Sequence, residues 1–260
     1  MSQVSEGDTV TVLGGTGGLG RYVVKNITSA NKFKVRCIVR SVEKAEELFK
    51  ELGIEGVDLV QGDLLQTESL KGSVSESNAL VFCTGTTAFP TGKWRGGNIP
   101  VEVDYNAIER VLEILSDGST PLKRLLYLSS VGVERKDKPP FSILNTFGVL
   151  DAKIAAEDAI MRTAEEAGFD AVILRPGRLI GEPWTTPDVA TLLKLEAPTR
   201  LKVEMQQGDE QEGDVSRGSA AEVFAQALTQ PAAAGKRFTI VNKTGEKPSQ
   251  EQWDELFDSL

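Results

Sequence analysis

The first 180 residues alternate short apolar, β-branched runs with longer stretches in which apolar positions recur every three or four residues. TVTVLGG (9–15), KFKVRCIVR (32–40), VDLVQGD (57–63), NALVFCTG (78–85), LKRLLYLSS (122–130) and FDAVILRPG (169–177) read as strands. Between them, LGRYVVKNITSA, SVEKAEELFKELG, VEVDYNAIERVLEIL and VLDAKIAAEDAIMRTAEEAG read as helices, the second stopped by Gly53. Near-continuous apolar strands alternating with amphipathic helices predict a parallel sheet, joined by right-handed crossovers and covered on both faces.

After Gly177 this rhythm loosens. LKVEMQQGDEQEGDVSR reads as irregular or extended, SAAEVFAQALTQP as a helix ended by Pro231, KRFTIVN as a strand and SQEQWDELFDSL as a terminal helix. The expectation is one domain over residues 1–260. It has an α/β core over about 8–180, and about 181–260 form a small C-terminal cap over the strand ends, because so short a tail makes a thin core alone.

Composition narrows the chemistry. With 29 basic and 38 acidic residues the net charge is −9, which disfavours attraction to a phosphate backbone and hence nucleic-acid binding. Histidine is absent and there are 2 cysteines, which excludes Ser-His-Asp hydrolysis and the usual zinc sites. No window approaches 18 consecutive apolar residues, and MSQVSEGDTV has neither region of a signal peptide, so the chain is expected to be soluble, without a membrane span or targeting segment. Cys37 and Cys83 fall in strands that flank the first, about 9–10 Å apart. That is beyond the roughly 7 Å reach of a disulfide, and both read as small core hydrophobes.

The strongest chemical signal is VTVLGGTGGLGRYVV, where Gly14, Gly17 and Gly20 form G-x-x-G-x-x-G between a strand and a helix. Glycines there allow a tight turn and close approach of backbone to a pyrophosphate, and the helix offers its free N–H groups and positive dipole end. The alternative is a glycine-rich turn with no ligand. About 20 residues on, where an NAD site places a carboxylate on the ribose, stands Arg40, followed by Ser41 and Lys44. A guanidinium cannot accept from a hydroxyl but pairs with a 2′-phosphate, so these residues predict NADP(H) over NAD(H); otherwise they are solvated charges at a helix start. Asp63 and Leu64, in the G-D-L turn after the third strand, suit the adenine, and the small residues Thr84, Gly85 and Thr86 suit the nicotinamide half, the alternative for each being an ordinary turn.

Together, GGTGGLG, IVRS, QGDL, CTGTT, LSS at 128–130, Lys153 and RPG at 175–177 resemble the atypical short-chain dehydrogenase/reductase family, in its NAD(P)H-binding, NmrA-like branch of plants, algae and cyanobacteria. The run TGTTAFPTGKWRGGNIPVEVDY is similar to chloroplast members involved in photosystem assembly. The resemblance implies a Rossmann-type doubly wound sheet. It implies a phosphate loop of Gly14, Thr16, Gly17, Gly18, Leu19 and Gly20, cofactor contacts from Ser129 and Pro176, an active-site Ser130, and Lys153 on the nicotinamide ribose. It also implies a plastid stroma, or a cytoplasm if the chain is bacterial.

The resemblance breaks at Val149, which stands where the family has the tyrosine of Tyr-x-x-x-Lys. An aliphatic group moves no proton, and losing a general acid forfeits roughly 10²–10⁴ in rate. Among the 3 tyrosines, Tyr22 and Tyr127 read as structural and Tyr105 as a weak replacement. Lys153 could alternatively be a surface lysine paired with Glu157. Lys93, Trp94 and Arg95 form a lid, a partner surface or a solvated loop. Two functions follow as expectations: an NADPH-dependent reductase of a flavin, quinone, tetrapyrrole or alkene, or a non-catalytic NADPH-sensing assembly factor in which the cofactor orders residues 86–100 and 176–218.

Overall fold

The computed structural model describes residues 3–116, 118–181 and 201–260; of the segment 176–218, residues 182–200 therefore lie outside the described residues. The strands of the main sheet are β1 (Thr9–Leu13), β2 (Lys34–Val39), β3 (Val57–Gln61), β4 (Ala79–Phe82), β5 (Arg124–Leu128), β6 (Asp170–Pro176), β8 (Lys202–Gln207) and β10 (Arg237–Lys243). They lie in the order β3-β2-β1-β4-β5-β6-β10-β8. All pairings are parallel except β10 with β8. β7 (Arg178–Ile180) and β9 (Asp214–Ser216) form a separate parallel ribbon. The chain runs outward from β1 to β3, then returns to β4 on the other side of β1. This reversal opens a crevice at the carboxyl ends of β1 and β4.

Side chains alternate between the faces with period 2. Val10, Val12, Val81 and Leu126 join one apolar core, which α1 (Gly20–Ser29), α2 (Val42–Glu51), α7 (Arg217–Ala227) and α8 (Gln250–Asp258) cover through Val23, Phe49, Phe224 and Trp253. Leu13, Phe82, Leu125 and Tyr127 point the other way, under α3 (Thr67–Ser75), α4 (Ala107–Leu115) and α6 (Val149–Ala167). The C-terminal residues thus add β8 and β10 to the sheet and α7 and α8 to one face. Within the run read as irregular or extended, Lys202–Gln207 pairs as β8.

Local signals set the helix ends. Ser41 caps α2 by accepting from Lys44 N, and Ser249 with Gln252 forms a capping box on α8. α6 has no cap from its own Gly148, but the Asn145 side chain, on the turn after α5 (Phe141–Leu144), accepts from Leu150 N and Asp151 N. Buried Arg124 at the start of β5 donates to the carbonyls of Ala227, Leu228 and Gln230, closing the end of α7. Among the described residues no helix is long and apolar enough to cross a membrane, and no group of three or more His, Cys, Asp and Glu is placed to hold a metal ion.

Candidate functional site

The phosphate loop leaves β1 at Gly14, whose φ of +85° suits glycine, and a Cβ there would stand 2.8 Å from Thr84 Cγ2. Gly17 N donates to Gly14 O at 2.9 Å, closing the turn. Gly20 is required by contact: a Cβ on it would lie 2.1 Å from Gly14 O. Arg21 braces the loop from behind, donating to the carbonyls of Thr16 and Gly17. Thr16, Gly17, Gly18 and Leu19 then lead into α1, whose start has no side-chain cap and no acidic residue in the first turn. Its N–H groups and positive end are thereby left to a ligand anion. The buried Thr84 hydroxyl oxygen, beside Gly14 across the crevice, has no hydrogen-bond partner in the protein. A dinucleotide fits this cradle.

Arg40 is exposed at the end of β2, and the Ser41 hydroxyl beside it is engaged in capping α2. Lys44 is exposed one turn later. Asp63 sits in a rigid turn after β3: its N–H donates to Ser69 Oγ and its carboxylate accepts from Leu65 N. Leu64 beside it is half-buried. All of these stand at the carboxyl edge of the sheet, in the order of their strands.

The floor of the crevice is built by Lys153. Its side chain is buried rather than exposed, and its partner is Asp104, Nζ to Oδ1 at 2.9 Å, instead of Glu157. It also donates to Leu128 O at 3.1 Å. Asp104 comes from a π-helical turn, Val101–Asn106, at the head of α4, a wide turn of the kind that often marks a functional site. Its second oxygen accepts from Thr86 N at 3.1 Å, which fixes the turn after β4. A Cβ on Gly85 would stand 3.3 Å from Asp104 Oδ1 and 3.5 Å from Lys153 Nζ, so only the bare glycine lets the turn after β4 pack directly on the buried ion pair. Asp104 was not among the residues expected from sequence. Its signal was a carboxylate between Val103 and Tyr105 at a helix start, which the nearby Glu102 shares and so does not single out.

The serines diverge. Ser129 is buried and its hydroxyl donates to Glu157, which sits inside the fold, so that side chain serves the interior. Ser130 is half-buried at the crevice side and donates to Val131 O at 3.0 Å. Pro176, at the end of β6, accepts from Val131 N and so ties the two strand ends together. Asp209, after β8, receives Gly132 N and Glu134 N and fastens the same loop from the C-terminal side.

The three tyrosines lie in different settings, and the position of the missing acid is closed. Val149 is packed with Val133, Phe141 and Leu150 in a small apolar cluster over Ala88 and Val131. Tyr127 is buried and donates to Asp104 O; burial, then the Asp104 and Glu157 charges, push its phenol well up. Tyr105 lines a cavity of about 400 Å³ with Trp94, Phe147 and Ala152, and burial and then Glu109 push its phenol up. Tyr22 packs against the core from α1. Both thiols, Cys37 and Cys83, are free and buried; burial pushes Cys37 to about 12 and Cys83 upward as well.

Above the crevice, the loop after β4 is held by Trp94 Nε1 donating to Thr87 Oγ1 and by edge-to-face contacts of Phe147 with Trp94 and Phe89 at 5.7 and 6.2 Å. Phe89, Ile143, Leu144 and Phe147 remain exposed around it.

Residues 14–231 match the model of a family described as NAD(P)H-binding. An uncharacterized chloroplastic protein of Arabidopsis thaliana is 29% identical over 263 residues, covering 96% of this chain and 82% of that one. An NmrA-like family domain-containing oxidoreductase of Aspergillus versicolor is 34% identical over 164 residues, or 63% of this chain and 42% of that one. Among solved structures, a putative NAD-dependent epimerase/dehydratase from Bacillus halodurans superposes with a TM-score of 0.71 at 22% identity, covering 98% of this chain and all of that one.

Proposed function

The chain belongs to the NAD(P)H-binding family, with NmrA-like oxidoreductases among its relatives, and on that basis we propose that it is an NADPH-dependent reductase whose acceptor draws its proton from solvent. The observation that carries this reading is the site's division of labour. The cradle and Lys153 are in place, while Val149, where a proton donor would stand, is sealed in an apolar cluster. The bound cofactor supplies a hydride. A flavin, quinone, conjugated tetrapyrrole or activated alkene accepts it and is then protonated by water, which needs no side-chain acid.

The protein's own residues bind and orient. The uncapped start of α1 holds the diphosphate, Arg40 with Lys44 holds the 2′-phosphate, and Asp63 with Leu64 holds the adenine. An ammonium has three N–H donors; Leu128 O and Asp104 take two of those on Lys153, and the third is left for a ribose hydroxyl. Ser130 orients the acceptor.

Fluorescence titration with NADPH, followed by flavin, quinone and biliverdin while the reduced-nicotinamide absorbance is monitored, tests the proposal. Binding with acceptor-dependent oxidation is expected; binding with no oxidation across the panel overturns the reductase. Arg40→Asp should weaken NADPH by roughly tenfold or more and leave NADH nearly unchanged. Equal losses would remove the NADP preference.

A second reading is favoured by the exposed Phe89, Ile143, Leu144 and Phe147 around the loop that borders the crevice. Here the protein is a plastid assembly or regulatory factor whose partner senses NADPH occupancy, in keeping with the chloroplastic relative. Partner capture that differs between NADPH and NADP⁺, without turnover, would favour it.

A further inference from the structure

The cavity of about 400 Å³ that Tyr105 lines has no part in the cofactor contacts assigned so far. Gly148, Ala152 and Ala155 line it at i, i+4 and i+7, so the start of α6 presents nothing larger than a methyl along this stripe. Across from them the π-helical turn Val101–Asn106 contributes Val101 and Tyr105, and a π-turn is wider than an α-turn. Trp94, Ile99 and Phe147 complete the wall. Trp94 is pinned by its bond to Thr87 Oγ1 and by Phe147, edge-to-face at 5.7 Å, so the aromatic side of the cavity is formed before any ligand arrives.

The polar side chains of the lining already have partners. Trp94 Nε1 donates to Thr87, the Tyr105 hydroxyl has Glu109, and the Asp151 carboxylate meets Lys136 Nζ at 2.8 Å and Asn145 Nδ2 at 2.9 Å. Among the described residues no lysine or arginine lines the cavity, so a bound carboxylate or phosphate would lose water with no cation to meet it unless it drew Lys136 from Asp151. What remains is aromatic and small alkyl surface, in a volume within the roughly 300–1,000 Å³ of small-molecule sites. A partner's helix, about 10–12 Å across with its side chains, is too broad to enter. We propose that this cavity binds an uncharged, ring-bearing apolar molecule. It adjoins the cofactor floor through three neighbours: Ala152 precedes Lys153, Tyr105 follows Asp104, and Trp94 is bonded to Thr87, next to Thr86. Two sources share that chemistry, an uncharged hydride acceptor and an apolar ligand that is not reduced. The first rests on the reductase reading; the site itself is a property of its lining.

The test is equilibrium dialysis of wild type, Ala155→Phe and Phe147→Ala against menadione, an uncharged naphthoquinone, and against its anionic counterpart 1,4-naphthoquinone-2-sulfonate. Wild type should bind menadione, and the sulfonate roughly tenfold or more weakly. Ala155→Phe fills the cavity, while Phe147→Ala, at an exposed position where the fold has little to lose, strips a ring from its wall. Both should raise the menadione Kd roughly tenfold and leave the NADPH Kd unchanged. A matching fall in menadione-dependent NADPH oxidation by Ala155→Phe makes the bound molecule the acceptor; unchanged oxidation beside lost binding makes it a ligand that is not reduced. Equal binding of the two quinones, or menadione binding unaltered in both variants, overturns the proposal. So does failure of wild type to bind menadione, and a dimer that Ala155→Phe dissociates would then assign this face to a second copy of the chain. If menadione binds and NADPH is never oxidised, the reductase reading alone falls, because dialysis reports binding without turnover.

Discussion

Lys153 and Glu157 stand one turn apart on α6, both buried, each in an ionic cluster drawn from distant parts of the chain. Glu157 accepts from Ser129 Oγ, from Arg175 Nε and Nη2, and from Arg237 Nη1, so each of its oxygens is used twice. A carboxylate has about four acceptor positions, and none is left over. Arg175 is itself buried; burial acts to lower it, but the Glu157 and Glu134 carboxylates outweigh that and hold its guanidinium raised. Lys153 has one donor to spare and lies directly under Gly85 of the turn after β4. A closed cluster stabilises and a cluster with a free valence can bind, and on this helix the two are separated by a single turn.

The largest effect should follow from opening the closed cluster. Glu157→Ala leaves the buried Arg175 without its two-pronged partner, and breaking a buried pair costs about 3–5 kcal/mol. Urea unfolding should show the free energy of unfolding falling by that amount, as a lower midpoint at unchanged slope, while NADPH affinity of the folded protein stays near wild type. A loss below about 1 kcal/mol would mean that the cluster is not what holds β6 to α6.

Lys153→Met also strands a buried partner, Asp104, and should lose stability, but it should add what Glu157→Ala lacks: the NADPH Kd of the folded protein should rise roughly tenfold from loss of one charge-assisted bond, and turnover with any acceptor should fall alongside it. If affinity holds and only stability drops, Lys153 belongs with Glu157 as a structural ion. Gly85→Ala is gentler. The contacts of 3.3 and 3.5 Å are ordinary or slightly tight, so the fold should lose less than about 1 kcal/mol, while the methyl covers Lys153 and weakens NADPH several-fold. Equal affinity for the alanine variant would place the cofactor away from this floor.

What the sequence made legible divides along the same line. The strands, the phosphate loop and the position of Lys153 depend on local runs and spacings, and each strand core is found within its expected segment. The partner of Lys153 was not local: i,i+4 spacing offered Glu157, but the 3.6-residue period sets both side chains on the buried face, where each meets its own partners from across the sheet. Asp104 and Arg175 look like ordinary charges in sequence, and only packing shows that each is a buried ion-pair partner. Ser129 and Ser130, just past the end of β5, differ for the same reason: one hydroxyl meets Glu157 inside the fold and the other a local carbonyl.

The smallest expected effect probes the layer beneath the phosphate loop. Gly15 lies so close to Cys37 that a Cβ there would sit 2.8 Å from Sγ, and the thiol is held up to about 12 by burial and, secondarily, by Asp58. A thiol raised in the folded state contributes stability that is fully present below its unfolded value of 9.0 and is lost as pH climbs from there toward about 12, because unfolding then lets it ionise. One pH unit above the unfolded value corresponds to about 1 kcal/mol. Wild type should therefore lose about that much more stability than Cys37→Ala between pH 8 and pH 10, with urea midpoints at each pH providing the measurement. Subtracting the variant removes the tyrosines and lysines that titrate in the same range. If the two curves run parallel, Cys37 already meets solvent in the native state, and the layer under the loop is as open as the crevice above it.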